Sequence, residues 1–194
     1  VSAAVVDDTE YPGTYAIVAL RGEMYYYLTN VAANGSRLTA VQAGTSLPAD
    51  NVSLAAEKVW NIEKVGNKFA LKSVETDEYI SWSSGNTATM ETEGIAFEIS
   101  ETEGTYVFKY AATDADRYLS LNKDTYDYFA VYKTGQIANL YLIPAVVGEE
   151  AVPELTGITV NATKTTFTVG DEFAFEGTVT ANYSNGTTKD VTTS

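Results

Sequence analysis

From Lys58 to Ser100 the chain alternates short apolar runs with polar turns. The runs are Val59-Trp60-Asn61-Ile62, Phe69-Ala70-Leu71, Tyr79-Ile80-Ser81-Trp82, Ala88-Thr89-Met90 and Phe97-Glu98-Ile99. Most of their apolar side chains fall on every second residue, which in an extended chain sends them to one face. Gly66-Asn67, Ser84-Gly85-Asn86 and Glu93-Gly94 lie between the runs and are residue types that tolerate tight reversals. The pattern predicts a series of short antiparallel strands.

The same order of runs recurs on either side of this stretch. Opening strands are predicted at Gly13-Thr14-Tyr15-Ala16-Ile17, Gly66-Asn67-Lys68-Phe69-Ala70-Leu71 and Gly104-Thr105-Tyr106-Val107-Phe108. Second strands carry Tyr27-Leu28, Tyr79-Ile80 and Tyr118-Leu119, and third strands lie around Leu38, Ala88 and Phe129. Fourth strands are Val59-Trp60-Asn61-Ile62, Ala96-Phe97-Glu98-Ile99 and Leu140-Tyr141-Leu142-Ile143. Phe69 and Tyr106 are 37 residues apart, Trp60 and Phe97 37, Tyr79 and Tyr118 39, and Phe97 and Tyr141 44. Tyr27 to Tyr79 is longer, at 52, because a loose stretch from Gly44 to Glu57 belongs to the first unit. Trp60, Phe97 and Tyr141 are expected at matching core positions.

Periods of this size point to a repeat architecture, and three units fall short of the roughly four to eight blades of a propeller. Residues 12–144 resemble the β-trefoil superfamily. That resemblance implies six strands in a short barrel and six in hairpins that cap it, about a pseudo-threefold axis. A single β-sandwich with coincidental periodicity is the alternative. Many ricin-type trefoil lectins carry Q-x-W in the last strand of each repeat. Here Val59-Trp60-Asn61, Ala96-Phe97-Glu98 and Leu140-Tyr141-Leu142 stand there without the Gln. No binding residue of that family is therefore carried over.

The pattern changes at residue 145. Residues 145–153 are short, acidic and end on Pro153, the composition of a linker. Beyond them come Leu155-Thr156-Gly157-Ile158-Thr159-Val160, Thr166-Phe167-Thr168-Val169-Gly170-Asp171-Glu172-Phe173, and a run from Gly177 to Val191 containing Tyr183-Ser184-Asn185-Gly186-Thr187. This segment, residues 154–194, resembles the front part of a bacterial immunoglobulin-like domain of the surface-protein type. Such sandwiches use about seven strands, and the segment supplies roughly four. The remaining strands are expected either from a longer parent polypeptide or from a neighbouring chain. The predicted fold class is thus all-β: a β-trefoil-like domain of three four-strand repeats plus a partial immunoglobulin-like β-sandwich, preceded by an N-terminal lead-in over residues 1–11.

Composition narrows the chemistry. The 194 residues contain neither Cys nor His. That removes thiolate chemistry, Ser-His and Cys-His nucleophile systems, and the commonest transition-metal ligand. A net charge of −14 repels phosphate backbones and argues against nucleic acid as a partner. No apolar run approaches the ~18 residues of a membrane span. The first eight residues lack a basic region and a sufficient apolar stretch for a signal peptide, although their small residues suit the start of a processed chain.

An enzyme built from this chain would rest on carboxylates or Tyr. Asp114-Ala115-Asp116, Asp124 with Asp127, and Glu75 with Asp77 and Glu78 fall in predicted surface turns, where solvation is the simpler role. The EF-hand pattern is absent. Sugar recognition fits better, because sugars stack apolar faces on aromatic rings and fix hydroxyls with Asp or Asn. The third-repeat hairpin offers Tyr126, Asp127 and Tyr128 with Asn122 and Asp124; the second offers Trp82 with Ser83, Ser84 and Asn86; the first offers Asn30, Asn34 and Arg37 without an aromatic. The competing role for Trp82 and the two tyrosines is to close the barrel's open end as hydrophobic caps.

The sequence therefore predicts a non-catalytic recognition module, secreted or at a cell surface. Its expected partner is a glycan or a cell-surface protein, with no cofactor and no metal, and the immunoglobulin-like part serves as spacer. A structural subunit of a surface layer, filament or virion decoration is the alternative, and a carboxylate-based glycosidase accessory region the third.

Overall fold

In the first repeat the predicted runs become β1 (Thr14–Arg21), β2 (Met24–Ala33), β3 (Arg37–Gly44) and β5 (Trp60–Val65), and a short β4 (Val52–Leu54) forms where no strand was expected. The second contributes β6 (Lys68–Ser73), β7 (Tyr79–Ser81), β8 (Thr89–Glu91) and β9 (Glu98–Thr102). The third contributes β10 (Thr105–Ala111), β11 (Asp116–Leu121), β12 (Tyr128–Tyr132) and β13 (Leu140–Val147). This computed structural model describes residues 10–149, 153–170 and 175–192. Residues 1–9 of the predicted lead-in, 150–152 of the predicted linker, and 171–174 and 193–194 of the immunoglobulin-like motif lie outside the described residues.

Pairing closes a ring of strands. β1 pairs antiparallel with both β5 and β13, β5 with β6, β9 with β10, and β10 with β13. A bridge between Phe69 and Phe97 joins β6 to the chain entering β9 and completes the circle. Hairpins β2–β3, β7–β8 and β11–β12 stand on this barrel. They meet one another across the axis: Phe129 of β12 opposes Leu38 of β3, Val131 bridges Thr87, and the Ala88 amide donates to Ser36 O at 2.9 Å. A sandwich would leave sheet edges open, whereas this barrel leaves none. The fold of this part is a β-trefoil.

The core repeats with the chain. Ile17, Leu71 and Phe108 from the opening strands are fully buried, as are Leu28, Ile80 and Leu119 from the second strands. Leu38, Ala88 and Phe129 fill the centre where the hairpins meet. In the fourth strands the buried set is Trp60, Phe97 and Leu140, because these are the residues opposite Tyr15, Phe69 and Tyr106. Tyr141, expected at this core position, is displaced by one residue. Since side chains alternate along a strand, that single step sends it to the outer face, where its ring meets Tyr25 edge-on at 5.8 Å.

The stretch from Gly44 to Glu57 is more ordered than the loose segment predicted. It contains β4, which runs parallel to β13 from Ala145 to Val147, and a single 3-10 turn at Ala56–Lys58. Leu54 and Val59 pack with Ala16, Val18, Tyr27, Ile143 and Ala145 in a second cluster. Both faces of β1 are therefore covered, which explains its unbroken apolar run Ala16-Ile17-Val18-Ala19. β13 continues to Val147, so the segment expected as a linker from residue 145 starts inside a strand.

Beyond it, β14 (Leu155–Ala162), β15 (Gly177–Tyr183) and β16 (Thr188–Asp190) form a three-stranded antiparallel sheet. Its turn over Ser184–Gly186 rests on the end of β3, with the Thr45 amide donating to Asn185 O at 3.1 Å. Gly44 and Gly186 both have positive φ, at 124° and 81°, and a Cβ on either would overlap the opposing turn. The contact therefore depends on these two glycines.

Candidate functional site

Each hairpin is tied to the next repeat by a polar side chain. In the first, Asn30 Nδ2 donates to Ser73 Oγ and Glu75 Oε2 of the second repeat, both at 2.8 Å. In the second, Gly85 O accepts from Arg117 Nη1 of the third repeat at 2.6 Å, while Arg117 Nη2 reaches Asp114 Oδ2 at 2.8 Å. In the third, Arg21 of the first repeat donates to Asn122 O at 3.2 Å, to Tyr126 O at 2.9 Å and to the Asp127 carboxylate. The three ties run in the same direction around the axis.

They leave the three hairpins chemically unlike. Trp82, predicted to offer a stacking face, is half-buried and committed: its Nε1 donates to Gly85 O at 2.8 Å, the Arg117 guanidinium lies 4.7 Å from its ring centroid, and Tyr110 packs at 5.7 Å. Asn86 is exposed on the same turn. The first-repeat group is divided: Asn30 turns to the second repeat, whereas Arg37 places its guanidinium 4.9 Å from the Tyr128 ring centroid in the third. Arg37 Nη1 also donates to Asn34 O at 3.3 Å, and its Nε is buried without a hydrogen-bond partner.

The third hairpin keeps most of its predicted residues together. Tyr126 and Tyr128 stack with ring centroids 5.5 Å apart and planes 18° from parallel, and Tyr126 remains 59% exposed. Asp124 and Asp127 are exposed beside them. Asn122, by contrast, is buried and acts inside the loop. Its Oδ1 accepts from the Asp124 amide at 3.0 Å and its Nδ2 donates to the Tyr132 hydroxyl at 3.4 Å. The position expected to meet a ligand directly instead shapes the turn that presents its neighbours.

Charges follow the same division. Burial disfavours the charged Arg21, yet its hydrogen bond to Asp127 and its contacts with Tyr26 raise its pKa above the ordinary value. Its guanidinium lies 4.4 Å from the Tyr26 ring centroid. Arg117 holds the Asp114 carboxyl below the usual carboxylate range through their hydrogen bond. Burial chiefly pushes the Tyr132 hydroxyl up. Among the acids weighed as catalytic pairs, Asp114 and Asp127 bind arginine, Asp116 and Asp77 bind Lys109 and Lys72 at 3.0 Å each, and Glu75 accepts from Asn30. No group of His, Cys, Asp or Glu that could hold a metal ion occurs among the described residues. No helix among them is long and apolar enough to cross a membrane.

The sequence reading missed Arg21 altogether, because its partners lie more than a hundred residues away. It also missed a concavity of about 240 Å³ beside the third hairpin, lined by Val107, Tyr118, Ser120, Thr134 and Gln136 among others. Gln136 links the two features, since its Oε1 accepts from the Lys123 amide at 2.7 Å. A wider cleft of about 670 Å³ lies between the barrel and the C-terminal turn, lined by Tyr27, Lys58, Glu149 and Asn185 among others, and contains none of the predicted binding residues.

No family model and no curated protein matches this sequence. Among solved structures, the Haemophilus ducreyi cytolethal distending toxin is similar at 17% identity, over 78% of this chain and 94% of that one, with a TM-score of 0.50. A Macrolepiota procera ricin B-like lectin in complex with lactose matches at 11% identity and a TM-score of 0.49, over 68% of this chain and 94% of the lectin. The Rhizoctonia solani agglutinin matches over the same shares at 14% identity and a TM-score of 0.49. At such identities the toxin match speaks to fold alone, and the other two matches are slighter still.

Proposed function

We propose that this chain is a non-catalytic glycan-recognition module, secreted or displayed at a cell surface, whose binding residues lie on the third-repeat hairpin. The observation that carries this reading is the Tyr126–Tyr128 stack: an aromatic face left open to solvent on a loop fixed by hydrogen bonds from its own and a neighbouring repeat. A sugar ring stacks its C–H face on such a platform, and the exposed Asp124 accepts from its hydroxyls. The concavity between Tyr118 and Gln136 gives an adjoining residue of the glycan room to enter.

Only one of the three hairpins offers this platform, so each chain takes one glycan. Trp82 is occupied by Arg117 and Tyr110, and the first hairpin has no exposed ring of its own. The C-terminal sheet is read as the beginning of an immunoglobulin-like spacer. A glycan array followed by calorimetry on its best hit tests the proposal. The expected stoichiometry is one per chain, with binding lost in Tyr126→Ala and kept in Asn86→Ala. An empty array, or a hit indifferent to Tyr126→Ala, counts against it.

A second reading has its own observation. Ile158 and Val160 of β14 are 58% exposed and share an apolar face with Val179 and Ala181. If strands of a neighbouring chain cover that face, the protein is a structural subunit of an assembly. Analytical ultracentrifugation showing a concentration-independent monomer would remove this alternative.

A further inference from the structure

We infer that Arg21 is the positioning residue of the third-hairpin site: it sets the shape of the loop that carries Tyr126 without touching the ligand itself. The inference rests on the glycan reading for its consequence, and on geometry alone for its cause. Arg21 closes β1, at the far end of the described chain from residues 122–128. Its guanidinium nevertheless meets that loop three times. Nη1 is shared between Asn122 O and Tyr126 O, which are the first carbonyl of the loop and the carbonyl of the exposed tyrosine. Nη2 binds the Asp127 carboxylate.

The other face of the arrangement is equally fixed. The guanidinium stacks on Tyr26, which is buried in the main core, so the cation itself has a rigid seat. Its side chain is 15% exposed while that of Asp127 is 48% exposed, which places the arginine beneath the loop and the carboxylate at its rim. A planar fork reaching two carbonyls and a carboxylate is a task for which lysine has the charge but not the shape. Within the loop, Asn122 N pairs with Tyr128 O and Tyr128 N with Tyr126 O, so its amides report directly on its closure.

Arg117 shows the contrast. It ties the second hairpin in the same manner but lies over the aromatic ring it serves, so Trp82 is covered. Arg21 lies over Tyr26 instead and leaves Tyr126 open. The aromatic ring each arginine selects thus decides which hairpin can receive a ligand.

The test compares the full chain with Arg21→Gln and Arg21→Lys by amide hydrogen exchange at Asn122, Asp124 and Tyr128, and by saturation-transfer NMR with lactose, maltose and diacetylchitobiose as probes. In Arg21→Gln those amides are expected to exchange at least about tenfold faster, while amides of Leu71 and Phe108 keep their rates. Arg21→Lys restores less than half of the protection. For any probe that binds the native chain, Arg21→Gln weakens binding by about tenfold or more. Unchanged exchange at the three loop amides overturns the inference whether or not a sugar binds. Accelerated exchange with no probe bound by the native chain supports Arg21 as the loop's anchor and counts against the glycan reading. If Arg21→Gln does not fold, Asp127→Ala, which removes the Nη2 partner at the rim, carries the same exchange test: faster exchange at the three loop amides supports the anchor, and unchanged exchange counts against it.

Discussion

The trefoil and the C-terminal sheet use the same vocabulary of Val, Ile, Tyr and Thr in alternating strands, yet they dispose of their apolar side chains in opposite ways. In the barrel, Ile17, Leu71 and Phe108 are wholly buried. In the sheet, Ile158 and Val160 stand at the same kind of alternating position and are mostly exposed, with Ala181 the buried apolar residue among those described there. The difference is one of closure. A barrel supplies its own second layer, because strands from opposite sides of the ring face one another, whereas an open sheet of three strands has no opposite side. Alternation is thus a necessary but insufficient condition for a core. Trefoil stability should accordingly reside in the repeat-equivalent layers, and the sheet should contribute through its turn against β3.

The sharpest way to break this contrast is to remove one large side chain from the core layer of the barrel. Trp60→Ala empties a fully buried site whose indole Nε1 also donates to Leu28 O at 3.2 Å. It is expected to cost about 3–5 kcal/mol in urea unfolding monitored by circular dichroism. A loss below about 1 kcal/mol would mean that the layer is not the seat of stability.

Next in size is the contact between the regions. Gly186→Val adds a side chain that meets Thr45 at a positive φ of 81°. The expected cost is about 1–3 kcal/mol, confined to the docking contact. Protection of the Thr45 amide should be lost while that of Phe108 is unchanged. Equal loss at both would show that the sheet and barrel unfold together.

A smaller effect is the pH dependence of the Arg117 tie. The folded pKa of Asp114 is depressed, so its pairing with Arg117 contributes fully above the unfolded carboxylate value of about 4 and fades as pH falls through the lower folded value. Tryptophan fluorescence reports on this tie because Trp82 lies against Arg117. The signal should hold from pH 7 to about 4 and change below that, and Asp114→Asn should remove the pH dependence. A transition near neutrality would contradict the assignment.

The smallest expected effect is Ile158→Thr on the exposed face of the sheet, within about 0.5 kcal/mol of the native chain. If this substitution instead proves costly, or shifts a sedimentation profile from larger to smaller species, the face is covered in solution and the structural-subunit reading gains ground.

Consecutive residues were enough to place most of the strands, the threefold recurrence, the core identity of Trp60 and Phe97, and the grouping of Tyr126 with Tyr128, but not β4, nor that the segment beyond residue 153 shows three strands among its described residues rather than four. The features so placed are all local properties: alternation fixes a face within a few residues, and turns announce themselves by Gly and Asn. Tertiary structure alone decided that Leu140 rather than Tyr141 completes the third core position, because register is set by the partner strand and a one-residue slip reverses every side chain. It also decided that Asn122 is buried, that Trp82 is covered by Arg117, and that Arg21 reaches across the barrel to Asp127. The Arg21 contact follows from ring closure, which brings the first repeat beside the third; the others follow from how strands and turns pack within the third repeat and against the second. No local pattern can encode that Trp82 will receive Arg117 over its ring while Tyr126 stays open above a loop that Arg21 holds from beneath.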